Sequence, residues 1–166
     1  MWRWMIRSAA VLLTAGMVAA PAVQASNGND ESALAGVRQA TAAFHDVDKA
    51  QAAGYSRLLS CFDLPGVGGM GQHYVNGSLL DSTVVETQPE ALVYEIDGDR
   101  LQLVAVEYIV PWSAWVSSTP PHLYGRAFYR VDSLHLWALH AWIWRPNPLG
   151  MFANYNPNVK LCPGRA

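Results

Sequence analysis

The segment from residue 32 to residue 54 has the hydrophobic periodicity of helices. Apolar side chains such as Leu34 and Val37 recur at intervals of three and four residues. Asp46 is suited to cap a second short helix, and Gly54 is suited to end it. We therefore predict that residues 32–54 are mainly helical.

The centre of the chain has the pattern of an antiparallel β-hairpin. Two runs rich in β-branched and aromatic residues, 91–96 and 101–110, flank the turn sequence Asp-Gly-Asp-Arg at 97–100. Either plausible register places one set of alternating side chains on a single face. Those side chains are Leu92, Tyr94, Ile96, Leu101, Leu103, Ala105 and Glu107. Glu107 is therefore predicted to lie on an apolar face.

The remaining pattern adds strands to this hairpin. A third strand is predicted at 136–144 in the same sheet, with shorter strands at 124–131 and 73–75. The glycine-rich segment 61–71 is predicted to be a loop. Helices that precede an antiparallel sheet indicate the α+β class, with the N-terminal helices packed on the sheet.

The first 25 residues have the features of a cleavable signal peptide. Arg3 and Arg7 supply a positively charged start, and the apolar stretch that follows is short for a membrane span. Small residues ending at Ala25 form a cleavage site. A retained N-terminal anchor is the alternative, but Pro21 and the small residues after it favour processing. Residues 1–25 are therefore predicted to be removed on export.

Removal of the signal peptide leaves 141 residues, an ordinary size for one domain. Residues 26–31 are predicted to be a disordered tether, and residues 32–166 a single α+β domain. The mature chain has nine basic and thirteen acidic residues, a formal charge of −4 and no basic run, which argues against nucleic acid as a partner. No later apolar run has membrane length. We expect a periplasmic or secreted protein of undetermined oligomeric state.

Cys61 and Cys162 are the two cysteines of the chain. In an oxidising compartment we predict that they form a disulfide. The alternative is a pair of thiolate metal ligands. It is disfavoured because neither cysteine has a CxxC partner or a histidine at ligand spacing.

Common catalytic motifs give no reaction for this chain. The run at 66–71 matches GxGxxG, but it neither follows a predicted strand nor opens a predicted helix, so it is interpreted as a flexible loop. The GxSxG, HExxH and EF-hand patterns are absent from the sequence. Whether the protein is an enzyme stays open on this evidence.

Three residues are candidate metal ligands. Glu107 is predicted on an apolar face, where a carboxylate needs a partner, and His140 is predicted on the apolar face of the third strand. His73 lies in glycine-rich sequence that a ligand can approach closely. Two imidazoles and a carboxylate are a common ligand set for Zn, Fe(II) or Cu. The alternative is a Glu–His hydrogen bond or a Glu–Arg pair that fills a polar gap in the core.

The aromatic residues suggest a pocket beside these ligands. Trp142 and Trp144 are predicted on the face of His140, which would then be too bulky for a tightly covered layer. The predicted pocket residues are Met70, Tyr74, Trp142 and Trp144. The thioether of Met70 would shift the preference towards copper. Such aromatic residues are more often simply core.

Three segments resemble a family of exported bacterial proteins that is uncharacterised. They are MGQHYVN at 70–76, PEALVYE at 89–95 and LHAWIWRPNPLGMF at 139–152. The resemblance covers roughly residues 35–162 and implies export and a shared fold. It implies no activity and assigns no catalytic residue.

Three functions remain open from the sequence. The preferred one is an exported domain that binds a transition metal or a small ligand around His73, Glu107 and His140. The second is a small metal-dependent enzyme that uses the same residues, with Glu107 as a ligand or general base. The third is a non-catalytic envelope interaction protein in which these residues are only packed.

Overall fold

A computed structural model describes residues 32–164. The predicted signal peptide and tether, residues 1–31, lie outside the described residues, as do residues 165–166. Helix α1 is Ala35–Thr41, a 3-10 helix follows at Ala42–His45, and helix α2 is Val47–Ala52. The side chain of Asp46 accepts a hydrogen bond from the backbone N–H of Asp48, which confirms it as the cap of α2.

The strands form one large antiparallel sheet and one small ladder. They are β1 (Ser56–Leu64), β2 (Gly68–Val75), β3 (Ala91–Asp97), β4 (Arg100–Pro111), β5 (His122–Leu123), β6 (Arg126–Ala127), β7 (Tyr129–Val131) and β8 (Leu136–Ala141). Single 3-10 turns lie at Gly77–Leu79 and Asp132–Leu134. The large sheet has the order β1-β2-β3-β4-β8-β7, and β5 pairs only with β6. The hairpin predicted within 91–110 is confirmed as β3 and β4.

The third predicted strand is present as β8, but it ends at Ala141 rather than at Trp144. The reason lies in the backbone that follows. The N–H of Trp142 donates to the Met151 carbonyl, whereas the N–H of Trp144 donates to the Val104 carbonyl of β4. After Ala141 the chain therefore leaves the regular β4–β8 pairing, and it contacts β4 again at Trp144 through a single hydrogen bond. The fourth predicted strand, 124–131, is present only as the short pieces β6 and β7.

The prediction of a loop at 61–71 is wrong, because most of this segment belongs to β1 and β2. The glycines serve close packing within the protein. A Cβ on Gly69 would collide with the Lys160 carbonyl oxygen, and one on Gly71 would lie 2.7 Å from the Tyr94 carbonyl oxygen. Gly71 also has a φ of +110°. The glycine-rich sequence therefore marks a strand that other backbone approaches closely.

The predicted shared face of the hairpin is also wrong in part. Ala105 pairs with Val93, but Leu103 pairs with Tyr94, so the β4 strand carries an extra residue at this point. Such a β-bulge reverses the alternation of side chains across the sheet. Leu103 lies in one buried cluster and Ala105 in another. Glu107 therefore shares a face with Ala105 and not with Leu101 and Leu103.

The two faces of the sheet carry separate buried clusters. On one face, here called the helix face, Leu34 and Val37 share a cluster with Leu92 and Tyr94. The hydroxyl of Tyr94 donates to the Phe44 carbonyl at 2.7 Å. The three helical segments have only seven, four and six residues, so the predicted layer of N-terminal helices is not confirmed. The antiparallel sheet of an α+β protein is confirmed.

The opposite face, here called the histidine face, is partly covered by the C-terminal segment 145–162. Val159 packs with Val93, Ala105 and Trp142. The backbone N–H of Lys160 donates to Glu95 Oε1 at 2.8 Å. This segment ends at the predicted disulfide, which is confirmed.

The disulfide joins Cys61 of β1 to Cys162, with a Cα–Cα distance of 5.7 Å. It links the edge of the sheet to the C-terminal segment that crosses the histidine face. Between residues 32 and 164, no helix is both long enough and apolar enough to cross a membrane.

Candidate metal centre

The pairing of the central strands brings His73, Glu107 and His140 together on the histidine face. Glu107 of β4 and His140 of β8 are direct cross-strand partners. His73 of β2 lies on the other side of β3, where the small residue Ala91 pairs with Glu107. The side chains of directly opposite residues are about 5 Å apart, so Glu107 and His140 are in reach of each other. His73 pairs with Val93, two residues along β3 from Ala91, so it approaches Glu107 diagonally across β3.

The three side chains are in direct contact. His73 Nε2 lies 3.3 Å from His140 Nε2 and 3.3 Å from Glu107 Oε2. His140 Nδ1 lies 3.2 Å from Glu107 Oε1. One donor atom from each residue can be chosen so that all three lie within 4.8 Å of one another. The histidines and the carboxylate thus form one polar cluster in an otherwise apolar part of the sheet.

Tyr129 is a fourth member of this cluster that the sequence analysis missed. Its hydroxyl donates to Glu107 Oε1 at 3.1 Å and lies 2.8 Å from His140 Nδ1. Tyr129 of β7 pairs with Ala138, two residues before His140 on β8, so a long side chain reaches the diagonal position. The one sequence feature that pointed to Tyr129 was its position as an aromatic residue within the predicted strand 124–131. The register of that strand with β8 could not be predicted.

Burial dominates the electrostatics of the cluster. His73, Glu107 and His140 are 6%, 6% and 0% exposed. Burial lowers the pKa of His73 to about 4, against a weaker opposing effect of the Gly71 carbonyl. Burial, and then the neighbouring His73, lower the pKa of His140 well below its ordinary value. Both imidazoles are therefore neutral at pH 7 and have lone pairs available as ligands.

Burial shifts the pKa of the Glu107 carboxyl group in the opposite direction to that of the histidines. Burial raises the pKa of Glu107 to about 8, the hydrogen bond from Tyr129 opposes this, and the charge of Glu90 adds to it. Burial also raises the pKa of Tyr129, so its hydroxyl keeps its proton. Within residues 32–164, the basic side chains within 4 Å of the Glu107 carboxyl group are the two histidines, with no lysine or arginine. The Glu–Arg pair considered as an alternative is absent there.

The predicted pocket residues are not all brought to the cluster. Trp142 is 1% exposed and its indole stacks on the His140 ring, with centroids 6.0 Å apart. Tyr74 and Trp144 pack instead into the cluster on the helix face. Met70 is half-buried on β2, at the register shift between Gly69 and Gly71, and a thioether ligand stays a prediction.

Other side chains enclose the cluster. The Phe62 ring contacts the His73 ring edge-on at 5.5 Å between centroids. A cavity of about 150 Å³ lies elsewhere, in the loop that contains Asp81 and Glu90. Ligand pockets usually measure about 300–1,000 Å³. Because His73, Glu107 and His140 are at most 6% exposed, the cluster is suited to a group of atomic size rather than to an organic molecule.

The comparisons with known proteins add no assignment. No protein-family model, no curated protein and no solved structure matches the chain.

Proposed function

We propose that this protein binds one divalent transition metal ion through His73, Glu107 and His140. The observation that carries the proposal is a buried carboxyl group in contact with two buried neutral imidazoles and with no basic side chain among the described residues. Buried carboxylates are costly unless they are paired or bound to a cation. A metal ion would stabilise the ionised form of Glu107, which no other positive charge faces within residues 32–164, and would use the lone pairs of both imidazoles.

The spacing of the donor atoms supports an ion of the size of Zn²⁺. His73 Nε2 lies 3.3 Å from both His140 Nε2 and Glu107 Oε2. Two atoms at this distance subtend about 107° at an ion placed ~2.05 Å from each, which is close to the tetrahedral angle. Neutral imidazole and carboxylate ligands suit zinc, copper and iron.

Burial favours metal binding over metal-dependent catalysis. The three candidate ligands are at most 6% exposed, so a substrate has little access to an ion among them. The metal-dependent enzyme is therefore the second candidate and the envelope interaction protein the third. In the third case Glu107, His73 and His140 would form only a hydrogen-bonded core network.

Export is part of the same proposal. The disulfide between Cys61 and Cys162 supports a location outside the cytoplasm, where such bonds persist. We extend the proposal to the exported family that the chain resembles and to a periplasmic or secreted location. Mass spectrometry of exported protein is expected to show a mature N-terminus within two residues of Ser26. An intact Met1 in exported material would contradict cleavage.

The metal proposal is tested by titration of metal-stripped, disulfide-intact protein with Zn²⁺ and Co²⁺. We expect one ion per chain and a visible Co²⁺ spectrum of tetrahedral type. His73→Gln and His140→Gln are expected to abolish stoichiometric binding, whereas His122→Gln, a change of an exposed histidine, leaves it intact. A free metal concentration 100 times the dissociation constant is expected to raise the free energy of unfolding by about 2.7 kcal/mol. A folded wild-type protein that binds no ion would overturn the proposal and leave the core network as the explanation.

A further inference from the structure

Tyr129 joins the two ligands at the side away from the proposed ion. Its hydroxyl contacts Glu107 Oε1 and His140 Nδ1, whereas the proposed ligand atoms are Glu107 Oε2 and His140 Nε2. Each of these two residues therefore has one polar atom near the ion site and the other at Tyr129. This places the hydroxyl outside the coordination sphere but in contact with two of its ligands.

The positions of the protons follow from donor and acceptor counting. With the proposed ion bound, Glu107 is ionised and only accepts hydrogen bonds, so the single hydroxyl proton of Tyr129 is donated to Glu107 Oε1. The hydroxyl oxygen then accepts from His140 Nδ1 at 2.8 Å, so this nitrogen carries the ring proton. Glu107 Oε1, 3.2 Å from the same nitrogen, is a more distant second acceptor for that proton. A neutral imidazole protonated at Nδ1 has its lone pair on Nε2. This is the nitrogen that faces His73 Nε2 at 3.3 Å.

We propose that Tyr129 is a positioning residue for this metal centre, which holds His140 in the Nδ1-protonated tautomer and fixes the orientation of Glu107. The inference rests on the proposed function. Histidine ligands commonly donate their second ring N–H to an oxygen, and loss of such a partner typically weakens metal binding by about 10–100-fold. Here one hydroxyl performs this role for a histidine and a carboxylate together.

The packing around Tyr129 is consistent with a fixed hydroxyl. The Tyr129 ring lies nearly parallel to the His140 ring, at 10° and 6.2 Å between centroids. Its cross-strand partner is Ala138, whose small side chain leaves space for the phenol ring to extend towards His140. Phenylalanine at position 129 would keep this ring packing and remove only the hydroxyl.

His73 is held less firmly than His140 at Nδ1, the ring nitrogen that points away from the proposed ion. His73 Nδ1 is buried and makes no hydrogen bond of regular geometry among the described residues, although the Gly71 carbonyl raises the pKa of the His73 ring. The outer nitrogen of His140, in contrast, has a partner at 2.8 Å. We therefore assign the larger positioning effect to Tyr129.

The test compares Tyr129→Phe with wild-type protein and with Tyr124→Phe as the matched control. Tyr124 donates or accepts a hydrogen bond with Tyr108, away from the metal centre. Zn²⁺ affinity is measured by competition with a chelator of known affinity, after circular dichroism has shown that each variant is folded. We expect Tyr129→Phe to bind Zn²⁺ about 10–100-fold more weakly and Tyr124→Phe to bind within about twofold of wild type.

A spectroscopic measurement separates positioning from a general loss of stability. Nitrogen-15 NMR of the zinc-loaded wild type is expected to show His140 protonated at Nδ1, and the signal of that proton is expected to exchange faster in Tyr129→Phe. Equal affinity of Tyr129→Phe and wild type, or a His140 protonated at Nε2, would overturn this inference while leaving the metal site intact. Absence of Zn²⁺ binding by wild type would overturn the proposed function and this inference with it.

Discussion

The substitution Glu107→Gln tests whether the buried carboxyl group is neutral in the metal-free protein. Burial raises the pKa of Glu107 from 4.5 to about 8, so between these values the folded protein keeps a proton that the unfolded chain has released. The folded state thus binds more protons in this window, and the free energy of unfolding falls as the pH rises. It is lowest above pH 8, where the buried carboxylate is ionised without a cation.

The size of the effect follows from the linkage relation. Between pH 6 and pH 9, Glu107 lowers the stability of the metal-free wild type by roughly 2–3 kcal/mol. Glutamine has the same shape and no charge. We expect its oxygen to accept from Tyr129 and its NH₂ group to donate to His73 Nε2. Glu107→Gln therefore removes this pH dependence while it also removes the proposed anionic metal ligand.

The assay is urea denaturation of metal-stripped protein at pH 6 and pH 9. Titration of the histidines is common to wild type and variant, so the difference between them isolates Glu107. Glu90→Gln is the matched control, because burial raises the pKa of Glu90 to about 7 and its contribution over the same range is only roughly 1–2 kcal/mol. If Glu107→Gln and wild type lose the same stability between the two pH values, the carboxyl group is not a neutral buried acid and our electrostatic reasoning is wrong.

Two further predictions concern the scaffold of the site. Replacement of both Cys61 and Cys162 by serine opens a loop of sequence separation 101, and we expect denaturation to show a loss of about 4–5 kcal/mol; a loss below about 1 kcal/mol would contradict this estimate. Gly71→Ala places a Cβ 2.7 Å from the Tyr94 carbonyl oxygen at a φ of +110°, so we expect thermal unfolding to show a loss of about 2 kcal/mol or more. Gly77→Ala, where a Cβ meets nothing within 4 Å, is expected to change stability by less than about 0.5 kcal/mol, and equal effects of the two changes would refute the close approach.

The sequence was sufficient for features that depend on local pattern. Alternating side chains around a strong turn signal predicted the hairpin of β3 and β4, and a further run predicted β8. The two cysteines predicted the disulfide, since export would place them in an oxidising compartment. The cost of burying a carboxylate predicted that Glu107 has partners, and histidines were the candidates. Each of these inferences uses the properties of one segment or one side chain.

Tertiary structure decided which side chains meet. The bulge at the Leu103–Ala105 step moves Glu107 to the face opposite Leu103, and the break after Ala141 sends Trp144 to the helix face. Both depend on hydrogen bonds between strands, and the alternation within one strand does not reveal them.

The glycine-rich segment and Tyr129 show the same dependence on distant partners. Gly69 and Gly71 resemble loop residues in sequence, but they belong to a strand approached by the backbone of Lys160 and Tyr94. Tyr129 reaches the candidate metal centre only because β7 pairs with β8 at one particular register. A shift of one residue would point its side chain to the other face of the sheet, since successive side chains of a strand alternate between faces. Strand register thus decides which side chains form the candidate site. Hydrogen bonds and packing between distant segments determine that register.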